Sequence, residues 1–216
     1  MKKIISAALA LVLTLGLFTV VAFAADSRLS VRGAQIRIPT SAKDDLVQGL
    51  RFISSVSLDV YELVDEADRP TSASDTGVGY GTVVMPTAIL GTNELTKDTV
   101  INYGGRNFAA KVVPAVRLYA KDSTHVEFTA VMTGITEANY ETKYTAVPYV
   151  TYMDGEEEVT IYGEAYSTSL FAVAEEAYAD KKTTEYVKEY LLEEILNVVD
   201  PDKYEFDGGW TPVYRP

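Results

Sequence analysis

A chain of 216 residues, 47% apolar and 23% charged, is long enough to bury a core and too apolar to remain unfolded. It has no cysteine, which excludes thiol nucleophiles, cysteine-ligated metals, iron–sulfur clusters and disulfide stapling. A net charge of −12 at pH 7 argues against nucleic acid and anionic lipid as partners and gives a well-solvated surface.

The first element in the chain is a leader. Lys2 and Lys3 precede an apolar run from Ile4 to Val21, which exits through Ala22-Phe23-Ala24 before Ala25. A basic start, an apolar centre and a small-residue exit predict a secretory signal peptide over 1–24. The rival is an uncleaved anchor, because about 18 apolar residues approach the length that crosses a bilayer. The Ala-x-Ala exit and the polar return at Asp26, Ser27 and Arg28 favour cleavage, and no cysteine is present to carry a lipid. The expectation is a secreted protein with no membrane contact after cleavage.

From Val31 to Gly163 the dominant hydrophobic period is two. Alternation is cleanest in His125–Thr133, where Val126, Phe128, Ala130 and Met132 point one way and Glu127, Thr129 and Val131 the other. In Gly49–Leu63, Leu50, Phe52, Val56, Leu58 and Val60 share a face with Ser54, opposite Arg51 and Asp59. Further strands are predicted at Ala34–Ile38, Gly79–Met85, Ala110–Ala120, Tyr144–Met153 and Glu158–Gly163, the last two joined through Asp154-Gly155. Loops are expected at Asp65–Gly77 and at Tyr103-Gly104-Gly105. Seven strands without intervening helices predict a mainly β fold, an antiparallel β-sandwich over 31–166.

The period changes after Ser167. Leu170, Val173, Ala174, Ala177 and Tyr178 fall at helical spacing behind Thr168 and Ser169 as capping residues. A second helix is expected from Thr184 to Val198, with Val187, Leu191, Ile195 and Val198 on one stripe and Asp200-Pro201 as its stop. Both stripes need an apolar partner, so 167–200 is expected to pack on the sandwich as two C-terminal helices of the same domain. The tail 201–216, with Gly208-Gly209-Trp210, reads as irregular.

Four segments carry a resemblance: Arg32-Gly33-Ala34-Gln35-Ile36-Arg37, Gln48-Gly49-Leu50-Arg51-Phe52, Gly81-Thr82-Val83-Val84-Met85-Pro86-Thr87, and the strand–helix segment Tyr149–Tyr178. Together they resemble an uncharacterised β-rich module of secreted and cell-surface proteins from gut clostridia, over Val31 to Ala179. Members often sit beside cell-surface or carbohydrate-associated modules, so the resemblance implies an extracellular role. It supplies no catalytic residues.

The chemistry-bearing residues are sparse. His125 is the one histidine, with no Gly-x-Ser-x-Gly elbow beside it, and reads as an exposed strand residue. Asp154, Glu156, Glu157 and Glu158 are too contiguous for a calcium loop and read as a solvated hairpin tip; Asp200, Asp202, Glu205 and Asp207 are similarly off-register. Neither metal nor cofactor is expected. Carboxylate pairs for glycoside hydrolysis depend on spatial separation, which spacing does not reveal.

Arg37 and Arg51 are candidate ligands for a carboxylate or sugar acid, against the plainer expectation that they pair with Asp59 or Glu62 across strands. Tyr149, Tyr152, Tyr162 and Trp210 are candidate sugar-stacking residues, against the high strand propensity of tyrosine. The sequence therefore predicts a secreted, non-enzymatic module of adhesive or scaffolding type, contacting extracellular protein or glycan. The alternatives are a carbohydrate-binding module using the tyrosines and a secreted glycoside hydrolase with scattered carboxylates.

Overall fold

A computed structural model describes residues 25–38, 47–66, 69, 77–115, 117–201 and 203–204. The expected leader over 1–24, Trp210, and the acidic positions Asp202, Glu205 and Asp207 lie outside the described residues.

Apolar alternation drives the chain into strands β1 (Leu29–Arg37), β2 (Gly49–Ser57), β3 (Gly77–Pro86), β4 (Val100–Tyr103), β5 (Arg106–Ala109), β6 (Lys111–Ala115), β7 (Arg117–Lys121), β8 (His125–Thr133), β9 (Tyr144–Asp154), β10 (Glu157–Tyr162) and β11 (Tyr166–Thr168). Sheet I has the order β1-β2-β8-β7; sheet II has the order β10-β9-β3-β6, with β11 also on β9. Every ladder in both sheets is antiparallel. The hairpin β4-β5 forms a small sheet of its own.

The seven expected strands are thus eleven, for three local reasons. Ala110–Ala120 is two strands: β6 pairs with β3 in sheet II, and β7 with β8 in sheet I. The Gly104-Gly105 loop is a hairpin turn, with φ of 59° and 78° at the two glycines; such angles match the twist of the flanking strands. Finally, Pro148 lacks an N–H, and the outer partner of β9 changes at that point, β10 ending opposite Tyr149 and β11 starting opposite Ala146. Gly163 bridges the gap, donating to the Pro148 carbonyl at 2.9 Å. A Cβ there would lie 2.1 Å from the Leu29 carbonyl oxygen, so glycine is required for β1 to approach this edge. Leu29 is fully buried, and the first strand starts there, five residues before the expected Ala34.

Two apolar clusters are shared between the sheets. One joins Leu50, Phe52, Ala130 and Met132 of sheet I to Val84, Val113 and Ala146 of sheet II. The other joins Leu29, Val56, Val126 and Phe128 to Tyr80, Ala115 and Val150. Ser54 and Thr82 sit in sequence between them on β2 and β3, fully buried, their hydroxyls without a partner among the described residues. The predicted Gly49–Leu63 strand stops at Ser57 because a short helix, α1 (Leu58–Tyr61), starts there and puts Val60 and Tyr61 into the second cluster. A second short helix, α2 (Thr87–Leu90), follows β3.

The C-terminal helices complete the first cluster. In α3 (Leu170–Ala179), Ser169 accepts from the Ala172 N–H at 3.1 Å as N-cap, while Thr168 ends β11 instead of capping. Thr184 caps α4 (Glu185–Leu191) by accepting from Val187 N–H. A π-helical turn, Leu192–Leu196, then leads into α5 (Asn197–Val199). The wider π turn rotates the apolar stripe by a residue. Leu191, Leu192, Ile195 and Leu196 are therefore all buried, whereas Val198, expected on the stripe, is 42% exposed. Tyr190 donates to Gln48 Oε1 at 2.7 Å, tying α4 to the start of β2. Among the described residues no helix is long and apolar enough to cross a membrane.

Candidate functional site

Sheet II presents an unusual outer face. On β3, Gly79 and Gly81 point outward and leave a trench without side chains. A Cβ on Gly81 would lie 2.5 Å from Tyr149 Oη and 2.6 Å from its ring, so the Tyr149 ring fills that half. A Cβ on Gly79 would lie 2.7 Å from Val64 Cγ1, so Val64 fills the other. Arg69 fixes the Val64 approach, donating to the carbonyls of Val64 at 2.7 Å and Glu62 at 2.9 Å with its guanidinium over the Tyr61 ring.

The segment between β3 and β6 folds back over the same face. Leu90 and Leu95 pack with Val83, Met85, Val147 and Tyr149, joined by the half-buried Ile89, Ile101 and Tyr162. A turn braced by Thr96 and Thr99, whose Oγ1 accepts from the Thr96 N–H at 2.7 Å, carries Lys97 to the edge of this layer. Lys97 is held three ways. Its N–H donates to Tyr162 Oη at 3.1 Å, its Nζ donates to Thr151 Oγ1 at 3.0 Å, and Nζ stands 5.3 Å from the Tyr149 ring centroid. Thr151 in turn shares a 2.8 Å hydrogen bond with Thr160 on β10.

The unfilled space beyond these groups is a cleft of about 280 Å³. It is lined by Gly79, Val64, Tyr149 and Met153, by Lys97 and Thr151, and by Asp65 and Glu158; Tyr152 borders it, although its ring packs with the second core cluster between the sheets. Both acids are exposed, while Lys97 and Thr151 are half-buried. Burial raises the Tyr149 hydroxyl above the usual tyrosine range, and the neighbouring Tyr162 adds to it. Burial likewise raises Tyr162.

The predicted site residues separate. Tyr149 lines the cleft, with Tyr162 packed beside it, whereas Tyr152, on the opposite face of β9, packs its ring on the second core cluster and only borders the cleft. The expectation of open stacking platforms needs correction for Tyr149, which is 4% exposed because its ring is spent on Gly81 and Lys97. Arg37 and Arg51 lie elsewhere, as diagonal neighbours on the outer face of sheet I: Arg37 opposes Gly49 and Arg51 opposes Gln35. Arg37 donates to the Val47 carbonyl through Nε at 2.9 Å and Nη2 at 2.6 Å. Asp59, one of its expected partners, instead accepts from Arg28 at 2.9 Å.

His125 remains on an exposed strand end. Its Nδ1 is 2.9 Å from Thr124 Oγ1, and Asp122 organises the turn by accepting from the N–H groups of Thr124 and His125. Those hydrogen bonds hold the Asp122 carboxyl below its ordinary range. Among the described residues no three His, Cys, Asp or Glu side chains gather as a metal site.

Sequence reasoning missed Lys97, Gly79 and Gly81. A signal was present: glycines at a spacing of two inside a strand mark a face that something else closely approaches. Lys97 carried none, because a lysine between Thr96 and Asp98 in a loop reads as solvent-facing. A second groove, about 500 Å³, lies between β1 and α3–α4, with Ala34, Ile36, Val173, Ala177 and Val187 along it. Its rim groups Thr184 and Asp180 already serve the helices, the latter accepting from Lys182 N–H.

Comparison of the chain with family models, curated proteins and solved structures returns no match.

Proposed function

We propose that this chain is a secreted, non-enzymatic recognition module, a β-sandwich with a helical extension, that holds a saccharide in the cleft beside Lys97. The observation that carries the reading is the mixture of groups converging there. Lys97 only donates, Asp65 and Glu158 as carboxylates only accept, and the Thr151 hydroxyl can do either. A sugar ring presents vicinal hydroxyls that donate and accept alternately, and a cleft of this size takes about one ring. The leader over 1–24 and the resemblance to clostridial surface modules support the extracellular setting. Exposure of both Asp65 and Glu158 supports holding over turnover, because a general acid for glycosidic cleavage is normally set in an apolar pocket.

The test is a glycan array probed with residues 25–216 in multivalent form, since single small sites bind weakly. Binding that Glu158→Gln removes, without release of reducing sugar, is the expected result. Release of reducing sugar overturns the non-enzymatic reading, and absence of any binding overturns the saccharide.

One further observation favours the adhesive reading, as a contact apart from the cleft. The β4-β5 hairpin carries Val100 at 57% and Tyr103 at 53% exposure, with Tyr103 edge-on to Phe108 at 6.4 Å and opposite Arg106. Tyrosine and arginine together are the residues that most often anchor protein contacts.

A further inference from the structure

Resting on the saccharide reading, we propose that the sugar is acidic and that its oxyanion, a carboxylate or a sulfate, is bound by Lys97. The chain carries 31 acidic and 19 basic residues. The ion pairs of Arg28 with Asp26 and Asp59, and of Lys203 with Glu175, are made by exposed cations. The half-buried Arg69, Arg37 and Lys97 donate instead to neutral oxygens, and of these three Lys97 is the one that lines the cleft. Among the described residues no carboxylate comes within ion-pairing distance of its Nζ, and the one hydrogen bond it makes is to the neutral hydroxyl of Thr151.

The ammonium is nevertheless fixed by Thr151, the Tyr149 ring and the grip of Tyr162 on its backbone. Ordering a lysine side chain costs freedom that binding otherwise has to supply, and here folding has supplied it. An ammonium has three donors, and Thr151 engages one, which leaves donor capacity toward the cleft that Lys97 lines. Asp65 and Glu158 set the orientation. They repel an oxyanion and accept from hydroxyls, so the acid group lies at the Lys97 end and the ring hydroxyls at the carboxylates. A simple anion satisfies only half of this site, and a neutral sugar leaves the ammonium without its charge partner.

The experiment is a titration of residues 25–216 with a panel of oligosaccharides: uronate-bearing and sulfated oligomers, each beside its carboxyl-reduced or desulfated counterpart. At least one acidic member is expected to bind, with its neutral counterpart weaker by about tenfold or more, and with affinity falling as salt is raised. The uronate and sulfate arms tell the two oxyanions apart. Lys97→Gln is expected to erase the acid-over-neutral preference, and Lys97→Arg to keep part of it; unchanged thermal unfolding of both variants shows that the fold is intact. Equal binding of acidic and neutral forms, or a preference that survives in Lys97→Gln, overturns the oxyanion and leaves the saccharide reading standing. Binding to no member overturns both.

Discussion

The two main sheets bury their inner faces against a common core and differ on their outer ones. Sheet I meets solvent at Gln35, Arg51, Glu127 and Tyr119, although Ile53, Ser55 and Thr129 at the middle of that face are buried, and Gln35 reaches Tyr119 Oη at 3.4 Å across two strands. Sheet II is covered on both sides. Its outward residues Val83, Met85, Val147 and Tyr149 are 0–6% exposed beneath the segment that carries α2 and the β4-β5 hairpin. The walls of the candidate cleft stand above sheet II, whereas the second groove, beside β1 of sheet I, is walled by α3 and α4. The outer layer stops short at the β9–β10 edge, and the candidate cleft is the step it leaves.

The comparison breaks first if the shared interior is not one cooperative unit. Leu191 is fully buried in the cluster that includes Phe52 and Ala130 from sheet I and Val84 and Ala146 from sheet II. Leu191→Asp puts an unpaired carboxylate there, at a cost of about 3–5 kcal/mol. Against a total stability of order 5–15 kcal/mol, the thermal transition of the strands should collapse, as read by circular dichroism. A strand transition that stays in place while helical signal is lost makes the helices a separate unit.

A smaller effect sharpens the contrast between the outer faces. Gly81→Ala drives a methyl into the Tyr149 ring and should cost about 1–3 kcal/mol, while Glu127→Ala on the outer face of sheet I should stay within about 0.5 kcal/mol. Urea unfolding of the two variants decides it. Equal midpoints would mean that the outer layer of sheet II adds no constraint.

The smallest effect concerns a contact that touches neither sheet. Glu175 on α3 accepts from Lys203 Nζ at 2.7 Å and from Tyr204, whose ring packs edge-on against Phe171 and Tyr178. The Lys203 hydrogen bond, then the Tyr204 one, holds the Glu175 carboxyl below its ordinary value of 4.5. A depressed folded value means that the contribution is complete above the ordinary carboxylate range and is lost as pH falls through the lower, folded one. Acid titration followed by Tyr204 ring shifts should show the contact loosening there, and Glu175→Gln should abolish that pH dependence. The exposure of the pair keeps the effect on global stability small.

Much of this was written in the chain itself. The mainly β, antiparallel character, the span of β8, the cap at Ser169, the start of the second helix near Thr184 and the stop at Asp200 follow from local rules: alternation, side-chain capping, and a proline that cannot continue a helix. Alternation is legible where polar residues mark the outer face, as Glu127 and Thr129 do on β8 of sheet I, whether or not that face is wet. It fails for sheet II, because a strand covered on both sides has no polar face to mark its period, and β9 is buried continuously from Thr145 to Val150. The split of Ala110–Ala120 between sheets, the switch of partners at Pro148 and the π turn that exchanges Val198 for Leu192 and Leu196 depend on which strand or core lies alongside. So does the cleft. Tyr149 and Tyr162 stood out by composition, but whether a tyrosine stacks on a ligand or on a glycine, and whether a loop lysine has a carboxylate within reach, is settled only by what the folded chain brings next to it.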